Sequence, residues 1–316
     1  MSVEREVQAV QRLLARERLS VDQCEDGRTT FLSHLGAQAR LVPGPWIAHR
    51  DLVYALAMAN LTPAQRSSLA HAVRTEHGRE FGVGRSRLRT APSGLPLGGS
   101  SLLITPRGEG PTCLYTWALG PKAQPERCDW LLLRAQPEWG LPSPPRGLTA
   151  RGLETLTQIG ADVVVGVAGA TAARQVADLV RGVVAVGGHP RFLPHLADEP
   201  DPAASKAKLL VWPHDALNTP SLARRRVDTL VLVDAPEEVR RTAERWADAR
   251  ERVEVTEAVC PGRLGREAML DFWSACGRPK VLLRGDPAWL HPAETRLREA
   301  GAVVVARSDG TQLRLL

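Results

Sequence analysis

The sequence predicts an α/β protein: a parallel, helix-flanked sheet in its C-terminal half, preceded by a helical region and a small antiparallel β region. Three observations lead there. Beyond residue 148, short apolar runs such as VVVGV, LLVWP and TLVLV alternate with helical patterns, as in βαβ units whose strands are buried on both faces. Between 79 and 139, apolar runs alternate instead with Gly/Pro-rich turns, the spacing of hairpins. Before 79, apolar positions recur at helical spacing.

Taken in order, Val3, Val7, Val10 and Leu14 share one helical face, with Glu4, Arg5, Gln8, Arg12 and Arg16 elsewhere, which predicts a packed helix over 3–18. A polar turn at Glu25-Asp26-Gly27 follows, then a mixed stretch from Phe31 to Val42 that Pro43-Gly44-Pro45 breaks. His49 to Asn60 reads as a buried, Ala-rich helix. Thr62 is a good N-cap, with Pro63 at the first helical position and Gln65 in capping-box register, and this helix is expected to run to Gly78. Residues 1–78 are therefore expected to be mostly helical.

The runs SSLLITP, TCLYTWAL and DWLLLRA predict the antiparallel β region. LPSPPRG at 141–147 predicts a stiff linker, because closely spaced prolines favour extended chain. The expected regions are thus 1–78, 79–147 and 148–316. In the last, strands ADVVVGV, GVVAV, KLLVWP, DTLVLVDA, RVEVTE, KVLLRG and AVVVA alternate with helices over 149–159, 171–181, 236–249, 266–275 and 292–300.

Composition bounds the function. The 316 residues are 43% hydrophobic and 24% charged, a globular balance, with net charge +6. Residues 1–150 carry +5 and the remainder +1, so the basic excess lies in the first half. Arg outnumbers Lys 37 to 4; Arg suits bidentate phosphate contacts, and a GC-rich genome yields the same skew. The five cysteines are odd in number and never two residues apart, which suggests neither a zinc site nor a disulfide framework. The N-terminus lacks the pattern of a signal peptide, and no apolar run approaches the ~18 residues of a membrane span. A reduced, cytoplasmic protein with no membrane association is expected.

Four sets of residues are candidates for function. No G-x-x-x-x-G-K-[ST] loop is present; Gly166, Gly169 and Thr171 lie where a strand gives way to a helix and backbone amides can approach a phosphate. At the carboxyl ends of other strands stand His189, His214, Asp215, Asn218, Asp234, and Arg284 with Asp286, where a ligand of an open α/β sheet binds. Arg224, Arg225, Arg226, Arg240, Arg241 and Arg245 form a third, basic set that Glu237, Glu238, Glu244 and Asp248 neutralise. The fourth is the basic β segment: Arg85, Arg87, Arg89 and Arg107, with Trp117 as a stacking partner, combine phosphate neutralisation with base stacking.

Residues 160–250 resemble the second RecA-type lobe of a superfamily 2 helicase. The resemblance rests on VVAVGGHPR, then LLVWPHDALNTPSL, then VDTLVLVDAP, in the family's order and spacing. Where the family has Gly-Asp this chain has Asn218-Thr-Pro-Ser, its arginine-finger helix is replaced by RRTAERWADAR, and Asp234-Ala-Pro is no DExx box. The resemblance implies a Rossmann/RecA-like shape and a nucleic-acid context without NTP hydrolysis. The expected function is a nucleic-acid-binding protein of DNA repair or replication with a non-hydrolysing RecA-like domain. DNA is the expected partner ahead of RNA, with protein partners besides, and no cofactor, metal or catalytic residue is assigned. The alternatives are a small-molecule transferase or hydrolase using the C-terminal sheet edge, and a protein-docking scaffold.

Overall fold

The computed structural model describes residues 3–22, 27–35, 43–59, 61–136, 139, 148–196, 207–250, 253–261, 264–285 and 287–308. The chain forms two compact units, one of Met1–Pro142 with Arg263–Leu316, the other of Ser143–Gly262. The linker expected at 141–147 and Asp286 lie outside the described residues. Among the described residues no helix is long and apolar enough to cross a membrane.

The first unit begins with helix α1 (Val3–Arg16) and strands β1 (Leu19–Val21), β2 (Thr29–Leu32) and β3 (Trp46–His49). Helices α2 (Arg50–Ala57) and α3 (Pro63–Ala70) lead to β4 (Val73–Thr75). The four strands make a parallel sheet in the order β1-β2-β3-β4, where a mostly helical region was expected. Strands of three or four residues are too short to display a period of two, so helical neighbours dominate the pattern. His49 ends β3 and caps α2, its Nδ1 accepting from the Asp51 N–H at 3.3 Å. The capping box of Thr62 and Gln65 forms, yet α3 stops at Ala70 because Val73–Thr75 pairs with β3.

Strands β5 (Glu80–Val83), β6 (Ser86–Pro92), β7 (Ser100–Pro106) and β8 (Cys113–Thr116) are antiparallel, and β9 (Trp130–Arg134) then runs parallel to β8.

The second unit holds α4 (Ala150–Gln158), β10 (Val163–Val167), α5 (Ala170–Leu179), β11 (Val186–Gly188) and α6 (Leu193–Leu196). It continues with β12 (Leu209–Pro213), α7 (Pro220–Ala223), β13 (Thr229–Val233), α8 (Glu237–Asp248) and β14 (Glu254–Ala258). The strand expected at GVVAV begins only at Val186, since 181–184 is spent in the turn that ends α5. Its sheet is parallel, ordered β11-β12-β10-β13-β14. β10, β12 and β13 are buried at every residue, which is why they read as unbroken apolar runs. One face packs Val164, Leu210, Trp212, Leu230 and Leu232 against Ala243, Trp246 and Ala247 of α8.

The chain then returns to the first unit as α9 (Arg266–Ala275), β15 (Lys280–Gly285), α10 (Pro287–Glu299) and β16 (Val304–Ser308). β15 pairs with β9, completing a seven-stranded sheet ordered β16-β15-β9-β8-β7-β6-β5. The region expected as one α/β domain over 148–316 is therefore split, because KVLLRG and AVVVA extend the earlier sheet. Apolar strands of this kind carry no mark of their partner. Through β7, β8, β9 and β15 the large sheet is buried on both faces. Leu88, Leu102, Ile104, Tyr115, Leu132 and Leu282 face Leu19, Phe31 and Ile47 of the small sheet. On the other face, Leu131, Leu133, Val281 and Leu283 meet Met269, Phe272 and Trp273 of α9 and Leu290, Ala293 and Leu297 of α10.

Candidate functional site

In β6 the sequence alternates Arg87, Leu88, Arg89, and Leu88 is buried in the inter-sheet core. Pleating therefore sends both arginines to the opposite face. Arg85 sits in the β5–β6 turn, and Arg107 follows β7 with its N–H donating to the Arg85 carbonyl at 2.8 Å. Gly82 lies opposite Arg87, and a Cβ there would stand 3.4 Å from the Arg107 guanidinium, so its bare backbone leaves that side chain room. Arg85 and Arg107 have no acidic partner among the described residues. Arg87 reaches only Glu80, at 3.9 Å. Arg89 differs, being bonded to Glu126 at 2.7 Å, and its charge is spoken for.

Two further arginines belong here that no sequence motif marks. Arg12 and Arg16 of α1 line an open groove with Glu109, Gly110 and Pro111. Their spacing of four residues on the polar face of α1 was the available signal. Glu17, buried, accepts from Arg16 at 3.0 Å and from the Arg85 N–H at 2.6 Å, tying α1 to the hairpin. Trp117 is not part of this surface. It lies toward the Ser100 end of β7, whereas Arg107 follows the Pro106 end. Its ring is covered by His34, with centroids 5.4 Å apart, and by the Arg134 guanidinium at 4.2 Å.

In the second unit, α5 leads from β10 toward one edge of the sheet and α8 leads from β13 toward the other, so the carboxyl ends of β10 and β13 form a topological switch point. Gly166 lies next to His214: a Cβ on it would meet His214 Cδ2 at 3.4 Å and Leu232 at 3.2 Å. The His214 ring stands against Gly166, and its buried Nε2 has no hydrogen-bond partner among the described residues. Burial lowers its pKa, against the raising effects of the Gly166 backbone and of the Asp234 and Asp215 carboxylates. Asp234 adopts φ +49° at the end of β13 and accepts from the Cys260 N–H at 3.2 Å. Gly169 is the N-cap of α5 without a side-chain cap bond, and Thr171 is buried in its first turn. Asp215 turns outward, its side chain 68% exposed and gripped by Arg191 through two 3.0 Å contacts. The structure thus gathers Gly166, His214 and Asp234 and leaves Asp215 aside. Arg226, Arg240 and Arg241 are held in ion pairs with Asp228, Glu257 and Glu237.

A third cluster gathers where the strands of the first unit's two sheets end. His49 and His77 stack with centroids 4.1 Å apart. Ser100 Oγ donates to the Gly98 carbonyl at 2.9 Å, so His77 Nε2, 2.9 Å away, is the donor of that pair. Burial, then the neighbouring His49, lower the His77 pKa from 6.5 to about 4. The folded value lies below the unfolded one, so the stabilisation is complete above pH 6.5 and is lost as the pH falls toward about 4. With the ring partly exposed, the expected loss is ~1–2 kcal/mol. Urea unfolding at neutral and mildly acidic pH checks this, and His77→Asn should flatten the dependence.

No family model matches the chain, and no curated protein does. Among solved structures, a crystal structure of a protein of unknown function from Enterococcus faecalis V583 is similar, with TM-score 0.54 and 13% identity over 83% of this chain and 76% of that one. At that identity the likeness speaks to the fold alone.

Proposed function

We propose that this chain binds nucleic acid through the basic end of the large sheet in its first unit. The observation that carries the reading is the grouping of Arg85, Arg87 and Arg107 around Gly82, two of them without an acidic partner among the described residues. Guanidinium groups held on a sheet, with Arg12 and Arg16 beside them, suit phosphates spaced along a backbone. The helicase-lobe resemblance over 160–250 lies within the second unit and supports the same context, with a RecA-like sheet that does not hydrolyse NTP. DNA is the first probe. Fluorescence anisotropy with single- and double-stranded DNA and RNA at two salt concentrations tests the reading: binding should weaken steeply as salt rises, and a salt-independent or absent signal would overturn it.

A second reading is supported by the convergence of Gly166, His214 and Asp234 at the switch point: a transferase or hydrolase site for a small phosphorylated ligand, with His214 or Asp234 as the acid–base group. A ligand that binds only the folded form raises the melting temperature. A thermal-shift screen against nucleotides and sugar nucleotides should then give a hit that His214→Gln removes, and a screen without hits leaves the first reading standing alone.

A further inference from the structure

Two cysteines of the first unit meet at a place that neither reading of function uses. Cys128 lies between β8 and β9, just before Trp130 opens β9. Cys276 is the C-cap of α9, in the turn that leads to Lys280 at the start of β15. β9 and β15 are adjacent parallel strands with Trp130 and Lys280 in register, so the segments that enter them run side by side. There the Cys128 N–H donates to the Cys276 carbonyl at 3.2 Å, and the Lys280 N–H donates to the Asp129 carbonyl at 3.0 Å. Residues joined by a direct backbone hydrogen bond have α-carbons about 5–6 Å apart, inside the roughly 4.4–6.8 Å that a disulfide spans.

The fold fixes both positions. α9 closes on Gly277, whose φ is +91°. The Gly277 N–H donates to the Ser274 carbonyl at 3.0 Å and the Arg278 N–H to the Trp273 carbonyl at 3.2 Å, two bonds that together hold the helix end in one geometry. Cys276 is thereby set, fully buried, in the core that α9 and α10 make with the large sheet, and Cys128 packs on that core from a partly exposed position. Both are free thiols, and their sulfurs act on each other more strongly than any other group does. Contact with Cys276, and burial after it, push the Cys128 thiol up; contact with Cys128 holds Cys276 below the ordinary thiol value, against the opposing effect of burial. On ionisation the pair therefore keeps its proton on Cys128 and its charge on Cys276. Cys113, nearby, is pushed up to about 12 by burial and by Asp129, and it affects Cys128 least of all.

We propose that Cys128 and Cys276 are a reversible redox site, closing to a disulfide when a hydroperoxide oxidises the chain. Cys128 is the sulfur that solvent reaches. It attacks one peroxide oxygen while its proton passes to the Cys276 thiolate; the O–O bond breaks, Cys128 becomes a sulfenic acid and hydroxide leaves. That hydroxide takes the proton from Cys276 and becomes water. The Cys276 thiolate then attacks the Cys128 sulfur, the S–S bond forms, and the S–O bond breaks to release a second hydroxide. In sum, the singly ionised pair and one hydrogen peroxide give the disulfide, one water and one hydroxide. The bond would join residues 148 positions apart and fasten the returning segment of α9 and β15 to the strands that precede the inserted unit. This site is separate from the Arg85, Arg87 and Arg107 surface and from the switch point of the second unit, and it stands or falls independently of both.

Peptide mapping by mass spectrometry without reductant tests it, on the full chain treated with hydrogen peroxide. The expected product is one linked pair of peptides carrying Cys128 and Cys276, lighter than the reduced pair by two hydrogens and separated again by dithiothreitol. The oxidised chain should melt on the order of 5 °C above the reduced one, because the bridge closes a long stretch of chain, and Cys128→Ser should abolish both the link and the difference. Free thiols at both positions after peroxide treatment, a bridge from either to another cysteine, or oxidation to sulfinic acid without a bridge would each overturn the proposal. A bridged chain that melts no higher than the reduced one would overturn the fastening role assigned to the bond.

Discussion

Replacing Arg85, Arg87 and Arg107 together by glutamate is expected to reduce DNA affinity by on the order of 10²-fold or more at low salt and to lower the slope of log K against log salt by about 1 for each phosphate no longer neutralised. The three side chains project from a turn, from the outward face of β6 and from the end of β7, so none is part of the core and the fold should survive the change. Circular dichroism verifies that point before affinity is read. Arg89→Glu is the internal control: its guanidinium already answers Glu126 at 2.7 Å, so its reversal should cost less affinity than any of the other three alone. Equal binding by the triple variant and the parent chain, with both folded, would sink the assignment of this surface.

The second large effect concerns stability. Trp139 is fully buried in the core beneath the large sheet and donates its indole N–H to the Leu264 carbonyl at 3.0 Å. Residues 139 and 264 lie on either side of the inserted Ser143–Gly262 unit, so this hydrogen bond fastens the two chain segments of the first unit to each other. Trp139→Ala removes a large ring from a packed core and leaves the Leu264 carbonyl without its donor, for an expected loss of ~3–5 kcal/mol. Trp139→Phe keeps most of the apolar volume and should cost about half as much. Hydrogen exchange should show the loss spreading to α9 and β15, which pack in the same core. A folded Trp139→Ala chain with unchanged urea unfolding and unchanged exchange in β15 would show that the two segments hold together without this tryptophan.

Much of the secondary structure was legible because it rests on local chemistry. The capping box at Thr62, the N-cap at Thr149, the stop of α4 at Gly160 and the span of α9 depend on residues a few positions apart. The unbroken apolar runs of β10, β12 and β13 announced a parallel sheet covered on both faces, since both sides of each strand need apolar side chains. The candidate residues were legible as types: arginines alternating with Leu88, and His214 and Asp234 after apolar strands.

Tertiary structure alone decided which of these meet. Nothing local in KVLLRG distinguishes a strand that adds to β14 from one that adds to β9; the choice depends on cores and closures that span more than a hundred residues of chain. The same holds for Trp117, expected beside the arginines of β6 and found instead against His34 and Arg134, because strand register, set by long-range pairing, carries it to the opposite end of β7. The pairing of Arg134 with Arg284 is likewise invisible at a separation of 150 positions. The sequence by itself determined where strands and helices begin and which faces are apolar, since those follow from interactions within a turn or two of chain. Which strands pair, and so which charges stand together, was decided by the burial of both faces of one large sheet.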